Sequence, residues 1–266
     1  MDVQEPERLA RLMACGLAMF CELVPQGEVL WTPSGVAALS GSSDPGYNTT
    51  LLWGGAEPVD LARLVDFLAA RGRFATHLMS AQALDVLAPY APLYGLVPAG
   101  RMPIMAFEPR TAAAPRLGPY RVERLSRWAD VRDIAAPMVM EAFGLPPKAA
   151  LAVLSESAVA DRGLDVFVAW RRSTAMSTVY TTRIDDAVGI WSMATPVRHR
   201  RQGAGRAVLQ AAMAHHMGRG ARLFYLGATA QGMPLYEQLG FATKTTLAVW
   251  ATGPAAQTPP NPSVGG

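Results

Sequence analysis

A loop rich in arginine and glycine, placed between a strand and a helix, constrains the fold of this 266-residue chain more than any other feature. Residues 187–195 are rich in apolar and β-branched side chains and predict a strand, which Pro196 ends. Gly203 and Gly205 then open a helical pattern that runs to about Met217, with apolar residues at helical spacing. A strand, a glycine-containing turn and a helix in succession are typical of an α/β domain.

The segments around this loop continue the alternation of strands and helices. The pattern predicts strands at residues 120–125, 165–171, 175–183, 187–195, 223–226 and 245–250, and helices at 128–143, 148–159, 203–217 and 234–239. Three consecutive strands in the middle predict antiparallel pairing, whereas the later strand–helix alternation predicts parallel pairing. We therefore predict an α/β fold with a mixed β-sheet flanked by helices.

A proline- and alanine-rich segment divides the chain. Residues 108–119 (EPRTAAAPRLGP) hold three prolines and predict a linker, because this composition excludes a regular helix or strand. The prediction is a domain at 1–107, a second at 120–252 and a disordered tail at 253–266. Residues 92–94 repeat the Pro-Leu-Tyr string of 234–236, and each precedes a final strand. Internal duplication explains the repeat, and so does chance between short strings.

Composition excludes several classes of protein. Half of the residues are hydrophobic and 17% are charged, which excludes a largely disordered chain. The spacing of Cys15 and Cys21 fits no common metal or redox motif, and we expect a reducing cytoplasm. The apolar stretch at 9–24 is interrupted by polar residues, so it predicts an amphipathic helix and neither a membrane span nor a signal peptide.

The arginine-glycine loop predicts an anion site. Backbone N–H groups at a helix N-terminus attract anions, and glycine lets a ligand approach them closely. The loop adds positive charge through Arg198, Arg200, Arg201 and Arg206, which favours a pyrophosphate. It has no Walker lysine, and Val208 stands where a dinucleotide fingerprint needs its third glycine.

Two motifs carry a resemblance to a known family. Arg200-x-x-Gly203-x-Gly205 resembles the [QR]-x-x-G-x-[GA] acetyl-CoA loop of the GNAT acyltransferase superfamily. The string LYEQLGF at 235–241 is similar to the L-Y-x-x-L-G-F element of the same superfamily. The N-terminal half has the Leu-Tyr echo but lacks the first motif. The resemblance therefore implies two tandem GNAT-like domains, of which the first is degenerate and the second catalytic.

The resemblance implies an N-acetyltransferase that uses acetyl-CoA as co-substrate, with direct attack by a small-molecule or peptide amine in a ternary complex. It implies that the fourth strand of the catalytic domain bonds the pantetheine arm and that the loop amides bind the pyrophosphate. The fourth and fifth strands are expected to splay apart there. The implied cofactor-binding residues are Met193, Ala194, Thr195, Arg200, Arg201, Gln202, Gly203, Ala204, Gly205 and Arg206.

The resemblance also implies catalytic candidates. Tyr236 matches a tyrosine that points at the cofactor sulfur in relatives, although a packing role is the alternative. Glu141 lies where relatives often build the acceptor pocket and is the second catalytic candidate, although its position favours a solvated surface carboxylate, and the sequence identifies no general base. Ser192 could support a water relay. No metal is expected, because His215 and His216 are adjacent on a helix and should face different ways.

Other functions stay open at this point. A non-catalytic acyl-CoA-binding or regulatory module would keep the same loop and lose turnover. A nucleic-acid site at the arginines is disfavoured, because the net charge is only +3 and no aromatic residues interleave with them. We expect no membrane partner and a monomer or homodimer. The acceptor regions are largely apolar, which favours a small or partly apolar amine over an acidic peptide.

Overall fold

The computed structural model describes residues 4–252 apart from 43, 110–113, 147–150, 152, 153, 155, 157, 158 and 160–162. The helices are α1 (Gln4–Glu22), α2 (Pro58–Ala69), α3 (Ala81–Leu87), α4 (Trp128–Asp130), α5 (Ala136–Phe143), α6 (Ala204–Met217) and α7 (Met233–Gln238). The strands are β1 (Glu28–Thr32), β2 (Gly35–Leu39), β3 (Asn48–Leu52), β4 (Thr76–Met79), β5 (Leu96–Phe107), β6 (Arg121–Leu125), β7 (Leu164–Arg171), β8 (Thr174–Ile184), β9 (Ala187–Ala194), β10 (Leu223–Gly227) and β11 (Ala242–Thr252).

The elements predicted in the C-terminal half are present, with one change of geometry. The predicted helix at 128–143 contains a π-helical turn at Val131–Ala135, which separates α4 from α5. Pro137 lies at the start of α5. A proline has no N–H to donate and its ring clashes with the preceding turn, so the regular α-helical hydrogen bonding is interrupted just before it. The predicted helix at 148–159 and the tail at 253–266 lie largely or wholly outside the described residues.

All eleven strands form one mixed sheet, as predicted for the fold class. Their order is β1-β2-β3-β4-β11-β5-β10-β9-β8-β7-β6. The β3–β4 and β9–β10 pairs are parallel, and the other pairs are antiparallel. Each half of the chain thus contributes one parallel pair, flanked on its outer side by antiparallel strands.

The two halves exchange their last strands at the centre of the sheet. β11, from the C-terminal half, lies between β4 and β5, and Leu247 is opposite Met102. β5, from the N-terminal half, lies between β11 and β10, and Met105 is opposite Leu226. A break of the chain within 108–119 therefore leaves each half paired to a central strand of the other.

Helix α1 lies across both halves on one face of the sheet. Its buried Leu9 and Met13 share a core cluster with Leu51 of β3 and Leu223 of β10. The hydroxyl of Tyr225 donates a 2.9 Å hydrogen bond to the backbone of this helix. Successive residues of β2 and β10 belong alternately to this cluster and to the clusters that contain α2 and α6. Because successive side chains of a strand point to opposite faces of the sheet, α2 and α6 cover the face opposite α1.

Candidate functional site

The parallel pair of the C-terminal half opens into a notch. Ladder pairs join Ala187–Gly189 to Leu223–Tyr225, and among the described residues none joins the two strands beyond them. β9 continues to Ala194 along β8, and β10 continues to Gly227 along β5. We call the gap between residues 190–194 and 226–227 the notch. Backbone N–H and C=O groups on its two edges are available to a ligand that pairs like a strand.

A β-bulge in β9 lies beside this opening. The register shifts so that Thr178 faces Ala194 whereas Tyr180 faces Trp191. Ser192, inside the bulge, has a φ of 44°, in the left-handed region. A bulge bends its strand and increases the local twist, and here it falls in the part of β9 that does not pair with β10.

A serine that the sequence did not single out holds the end of β9. The hydroxyl of Ser177 donates to the carbonyl oxygen of Ala194 at 2.9 Å and lies 2.8 Å from the hydroxyl of Thr195. Ser177 is fully buried. The two bonds position the predicted pantetheine-binding segment at 193–195. Their existence depends on strand register, which the sequence pattern does not specify.

The loop after β9 turns sharply into α6. Residues Val197–His199 form a 3₁₀ turn, and Arg201 and Gly203 have positive φ values of 61° and 90°. Gly203 is the N-cap and offers no side chain to the helix. The N–H groups of the first turn, including those of Ala204 and Gly205, have no intrahelical acceptor by helix geometry. They lie at the helix start where the sequence predicts an anion site.

The second glycine of the motif lets α6 approach β9. A Cβ atom on Gly205 would lie 3.1 Å from Met193 Cε, 3.4 Å from Thr195 Oγ1 and 3.5 Å from Leu235 Cδ2. A larger side chain there has to displace these side chains or the start of α6. On the other side of the loop, the Tyr120 hydroxyl donates to the Gln202 carbonyl oxygen at 2.5 Å.

The arginines of the loop differ in the contacts that they make. Arg200 donates through Nε to the Thr195 carbonyl oxygen at 3.1 Å and through Nη2 to that of Ala142 at 3.3 Å. Arg206 donates to the side chain of Gln238, joining α6 to α7. Arg201 is exposed. Arg200 thus shapes the loop through backbone contacts, in addition to the charge it adds.

Tyr236 lies on α7, 8% exposed, within the core cluster of the α6 face. Its ring centroid is 6.0 Å from that of Phe241. A Cβ atom on Gly232 would meet the Tyr236 ring at 2.9 Å, so only glycine leaves it in place. Burial raises the pKa of Tyr236 to about 12. The phenol therefore keeps its proton at neutral pH and can donate a hydrogen bond.

Glu141, the other catalytic candidate, lies on α5 near its C-terminal end. Both of its carboxylate oxygens accept from Nη1 of Arg198 at 2.5 Å. The side chains are 40% and 62% exposed, respectively. An exposed pair of this kind contributes little to stability. It joins α5 to the loop after β9.

One group of potential metal ligands lies away from the notch. Asp165, His215 and His216 bring one ligand atom each within 4.8 Å of one another, although adjacent histidines were expected to face apart. Arg124 Nη1 is 2.7 Å from Asp165, and Thr181 Oγ1 is 2.8 Å from Nε2 of His216. Burial lowers the pKa of His216 to about 4. His215 Nε2 and His216 Nδ1 have no hydrogen-bond partner among the described residues, so the group is a partly satisfied polar network, and we assign no metal to it.

The parallel pair of the N-terminal half is closed where that of the C-terminal half is open. β3 and β4 pair through to Leu52 and Met79 at their ends, and Ser80 N then donates to the Leu52 carbonyl oxygen at 2.9 Å. The Glu7 carboxylate of α1 accepts from Gly54 N at 2.5 Å and from Ser80 Oγ at 3.2 Å. Hydrogen bonds and a carboxylate thus fill the position that corresponds to the notch.

The helix N-terminus of that half is also unsuited to an anion. α2 begins with Pro58, which has no N–H, and Glu57 and Asp60 form a capping box around it. Two carboxylates already occupy the donors and repel a phosphate. This arrangement agrees with a degenerate first copy.

Comparison with known protein families gives a match for part of the chain. A family model described as "Acetyltransferase (GNAT) domain" matches residues 162–243. A search of curated proteins gives no match. No helix within the described part of the chain combines the length and apolarity needed to cross a membrane.

Solved structures share the whole fold. A GCN5-related N-acetyltransferase from Kribbella flavida superposes with a TM-score of 0.71 at 18% identity, over 94% of this chain and 96% of that one. A GCN5-related N-acetyltransferase from Sphaerobacter thermophilus gives 0.60 at 16% identity, over 83% and 78%. A tandem GNAT protein from the clavulanic acid biosynthesis pathway gives 0.57 at 13% identity, over 96% and 97%. At these identities the likeness shows the fold, and the last match fits a two-domain arrangement.

Proposed function

We propose that this protein transfers an acetyl group from acetyl-CoA to an amine within a ternary complex, since residues 162–243 match a family model described as "Acetyltransferase (GNAT) domain". The observation that carries the proposal is the notch between β9 and β10, which opens beside the glycine-capped N-terminus of α6. A ligand with a strand-like amide arm and a pyrophosphate meets suitable groups at both places.

Acetyl-CoA would lie with its pantetheine arm along residues 193–195 of β9 and its pyrophosphate at the start of α6. The bulge at Ser192 and the hydrogen bonds of Ser177 orient the strand edge. The exposed N–H groups at 201–206 and the helix dipole stabilise the negative charge. Arg201, which is exposed, adds a cation at the same end. The arm then places the thioester at the closed end of the notch.

The reaction balances without a covalent enzyme intermediate. An ammonium group loses one proton to become a neutral amine, whose lone pair attacks the thioester carbonyl. The new C–N bond forms, the C–S bond breaks, and the sulfur leaves as a thiolate. The nitrogen gives up a second proton, and the thiolate takes one up. The products are an acetylated amine, CoA and one released proton.

Tyr236 would assist as a hydrogen-bond donor to the leaving sulfur. With a pKa of about 12 for Tyr236 and about 8.5 for a thiol, full proton transfer is uphill by roughly 5 kcal/mol. A donated hydrogen bond stabilises the developing thiolate without that cost. The proton that finally reaches the sulfur therefore comes from the amine or from solvent.

Glu141 is the proposed proton acceptor on the amine side, and its pairing limits when it can act. Both oxygens accept from Arg198, so the ion pair must open, or a water must relay the proton, before the carboxylate can receive it. An incoming ammonium could replace Arg198 at Glu141 by the same electrostatic attraction. Ser192 lies in the bulge beside this path and could position such a water.

Calorimetry and a thiol-release assay test the proposal. We expect the full chain to bind CoA and acetyl-CoA, and to release CoA from acetyl-CoA when primary amines are supplied. CoA binding without thiol release across a broad amine panel would instead support a non-catalytic acyl-CoA-binding module. Absence of any CoA binding would overturn both.

A further inference from the structure

We propose that the N-terminal half supplies part of the acceptor site: Met102 of the exchanged strand β5, together with Trp191 of β9, forms an apolar wall that selects an amine carried on an apolar group. This inference rests on the proposed acetyl transfer. The inference adds the class of acceptor to the proposed acetyl transfer and gives the non-catalytic half a role in recognition.

The first contact is between the two halves of the chain. Gly227 is the last residue of β10, at one edge of the notch. A Cβ atom built on it would lie 2.8 Å from the sulfur of Met102, 3.3 Å from its Cγ and 3.5 Å from its Cε. The Met102 side chain therefore occupies the space that a side chain at the end of β10 would take.

The second contact is a similar one on β9, at the last ladder pair before the notch. A Cβ atom on Gly189, where the pairing of β9 and β10 ends, would lie 2.6 Å from the indole nitrogen of Trp191. That indole is fixed in place, since its N–H donates to Thr182 Oγ1 at 2.8 Å. Phe20 of α1 packs edge-on against it, with ring centroids 5.6 Å apart. A glycine at the last ladder pair before the notch, on β9, and a glycine on its β10 edge are thus each covered by a large apolar side chain.

Both side chains lie on the face of the sheet opposite Tyr236. Along β10, Leu223 and Tyr225 belong to the α1 cluster, whereas Phe224 and Leu226 belong to the α6 cluster that contains Tyr236. Strand alternation therefore places Gly227 on the α1 face. Met102 and Trp191 pack against the α1 cluster as well. If the sulfur contacts Tyr236 from one face, the attacking amine reaches the carbonyl from the other, past this wall.

The chemistry of the wall defines the acceptor. A thioether and an indole offer dispersion contact and no charge, and methionine adapts to irregular apolar shapes. Arg198 and Glu141, the charged residues that join the loop after β9 to α5, are already paired with each other. An amine with an alkyl or arylalkyl group would place its nitrogen toward the thioester and its apolar group against Met102 and Trp191. A polyamine would leave additional charges against the same apolar wall.

Three variants measured with two amines test this inference. The full-length protein, M102A, M102L and the control R101A are assayed with 2-phenylethylamine and with ethylamine at saturating acetyl-CoA. Arg101 precedes Met102 on β5 and is exposed. For M102A we expect the KM for 2-phenylethylamine to rise about tenfold, the loss typical of a trimmed apolar pocket. The KM for ethylamine, the kcat and the CoA affinity should change less than about twofold, M102L should restore most of the loss, and R101A should match the wild type.

Gly227→Ala gives an independent readout if M102A folds poorly. The added methyl displaces the Met102 side chain toward the notch, so the KM should rise for the larger amine and change little for ethylamine. Equal KM values for wild type, M102A and G227A with both amines would overturn the inference while leaving acetyl transfer intact. A wild type that acetylates polyamines and rejects arylalkylamines would overturn it too. A wild type without CoA binding would instead overturn the proposed function.

Discussion

The backbone N–H of Ala228 donates to the carbonyl oxygen of Pro103 at 2.8 Å. This bond joins the end of β10 to β5 and extends the β5–β10 ladder of residues 104–107 and 224–227. The proposed thioester position is therefore bounded by main chain from the N-terminal half. Both halves of the chain therefore contribute main chain beside the notch.

The strand exchange predicts that the two halves stay together after the chain is cut. A protease site inserted within 108–119 should yield two fragments that co-elute on size-exclusion chromatography at the position of the intact protein. Each fragment remains held by the β4–β11, β5–β11 and β5–β10 ladders. Fragments that separate without denaturant would contradict the exchanged pairing.

Gly205→Val should weaken CoA binding at least about tenfold, because even a Cβ atom there lies 3.1 Å from Met193 and a larger side chain displaces the helix N-terminus from the notch. Gly218→Ala is the matched control at the other end of α6, where the nearest atom to a Cβ is at an ordinary 3.5 Å. Calorimetry with CoA measures both. Equal affinities for the two variants would remove the helix N-terminus from the proposed site.

Tyr236→Phe should lower kcat about tenfold or more while leaving acetyl-CoA affinity nearly unchanged, since it removes one hydrogen bond to charge that develops only during the reaction. The phenylalanine retains the ring that packs near Phe241. Steady-state kinetics with calorimetry separate the two effects. A variant with wild-type turnover would leave Tyr236 with a packing role alone.

CoA should bind with a stoichiometry of one per chain. The corresponding position in the N-terminal half is closed by strand pairing and by the Glu7 carboxylate, and α2 is capped by Glu57 and Asp60. Isothermal titration of the full chain gives the number of sites. A second site that persists in the Gly205→Val variant would place CoA in the N-terminal half and contradict the expected stoichiometry of one CoA per chain.

Stability should fall as the pH drops from about 6.5 to about 4. Burial lowers the pKa of His77 to about 4, and His77 is 1% exposed. In this pH range the unfolded state binds a proton that the folded state excludes, so stability is highest above 6.5 and decreases toward pH 4. The full effect of a shift of this size is about 3 kcal/mol. Urea unfolding at pH 7 and pH 4.5 measures it.

A His77→Gln variant serves as the control for this prediction. It removes the titrating ring, which lies 2.8 Å from Thr50 Oγ1. The variant should be less stable than wild type at pH 7 and should lose less on acidification. A slope equal to that of wild type would assign the pH dependence to other groups, of which His216, with a similarly lowered pKa, is the first.

The sequence by itself determined the local chemistry of the site and the succession of elements in the C-terminal half. Arg200, Gly203 and Gly205 predict a strand, a tight turn and an anion-binding helix start, because glycine conformations and helix ends are properties of neighbouring residues. The family resemblance rests on the same short strings. No strands were predicted for residues 28–52, although β1, β2 and β3 lie there.

Only the tertiary structure decided which strands become neighbours. Every strand offers the same backbone donors and acceptors, so nothing local specifies that β11 lies beside β4 or that β5 lies beside β10. That choice of neighbouring strands creates three contacts, namely Met102 with Gly227, Ser177 with Ala194, and His215 with Asp165. They join residues far apart in sequence, and their energies appear only when the whole sheet is formed, because register and packing are set by the buried faces together.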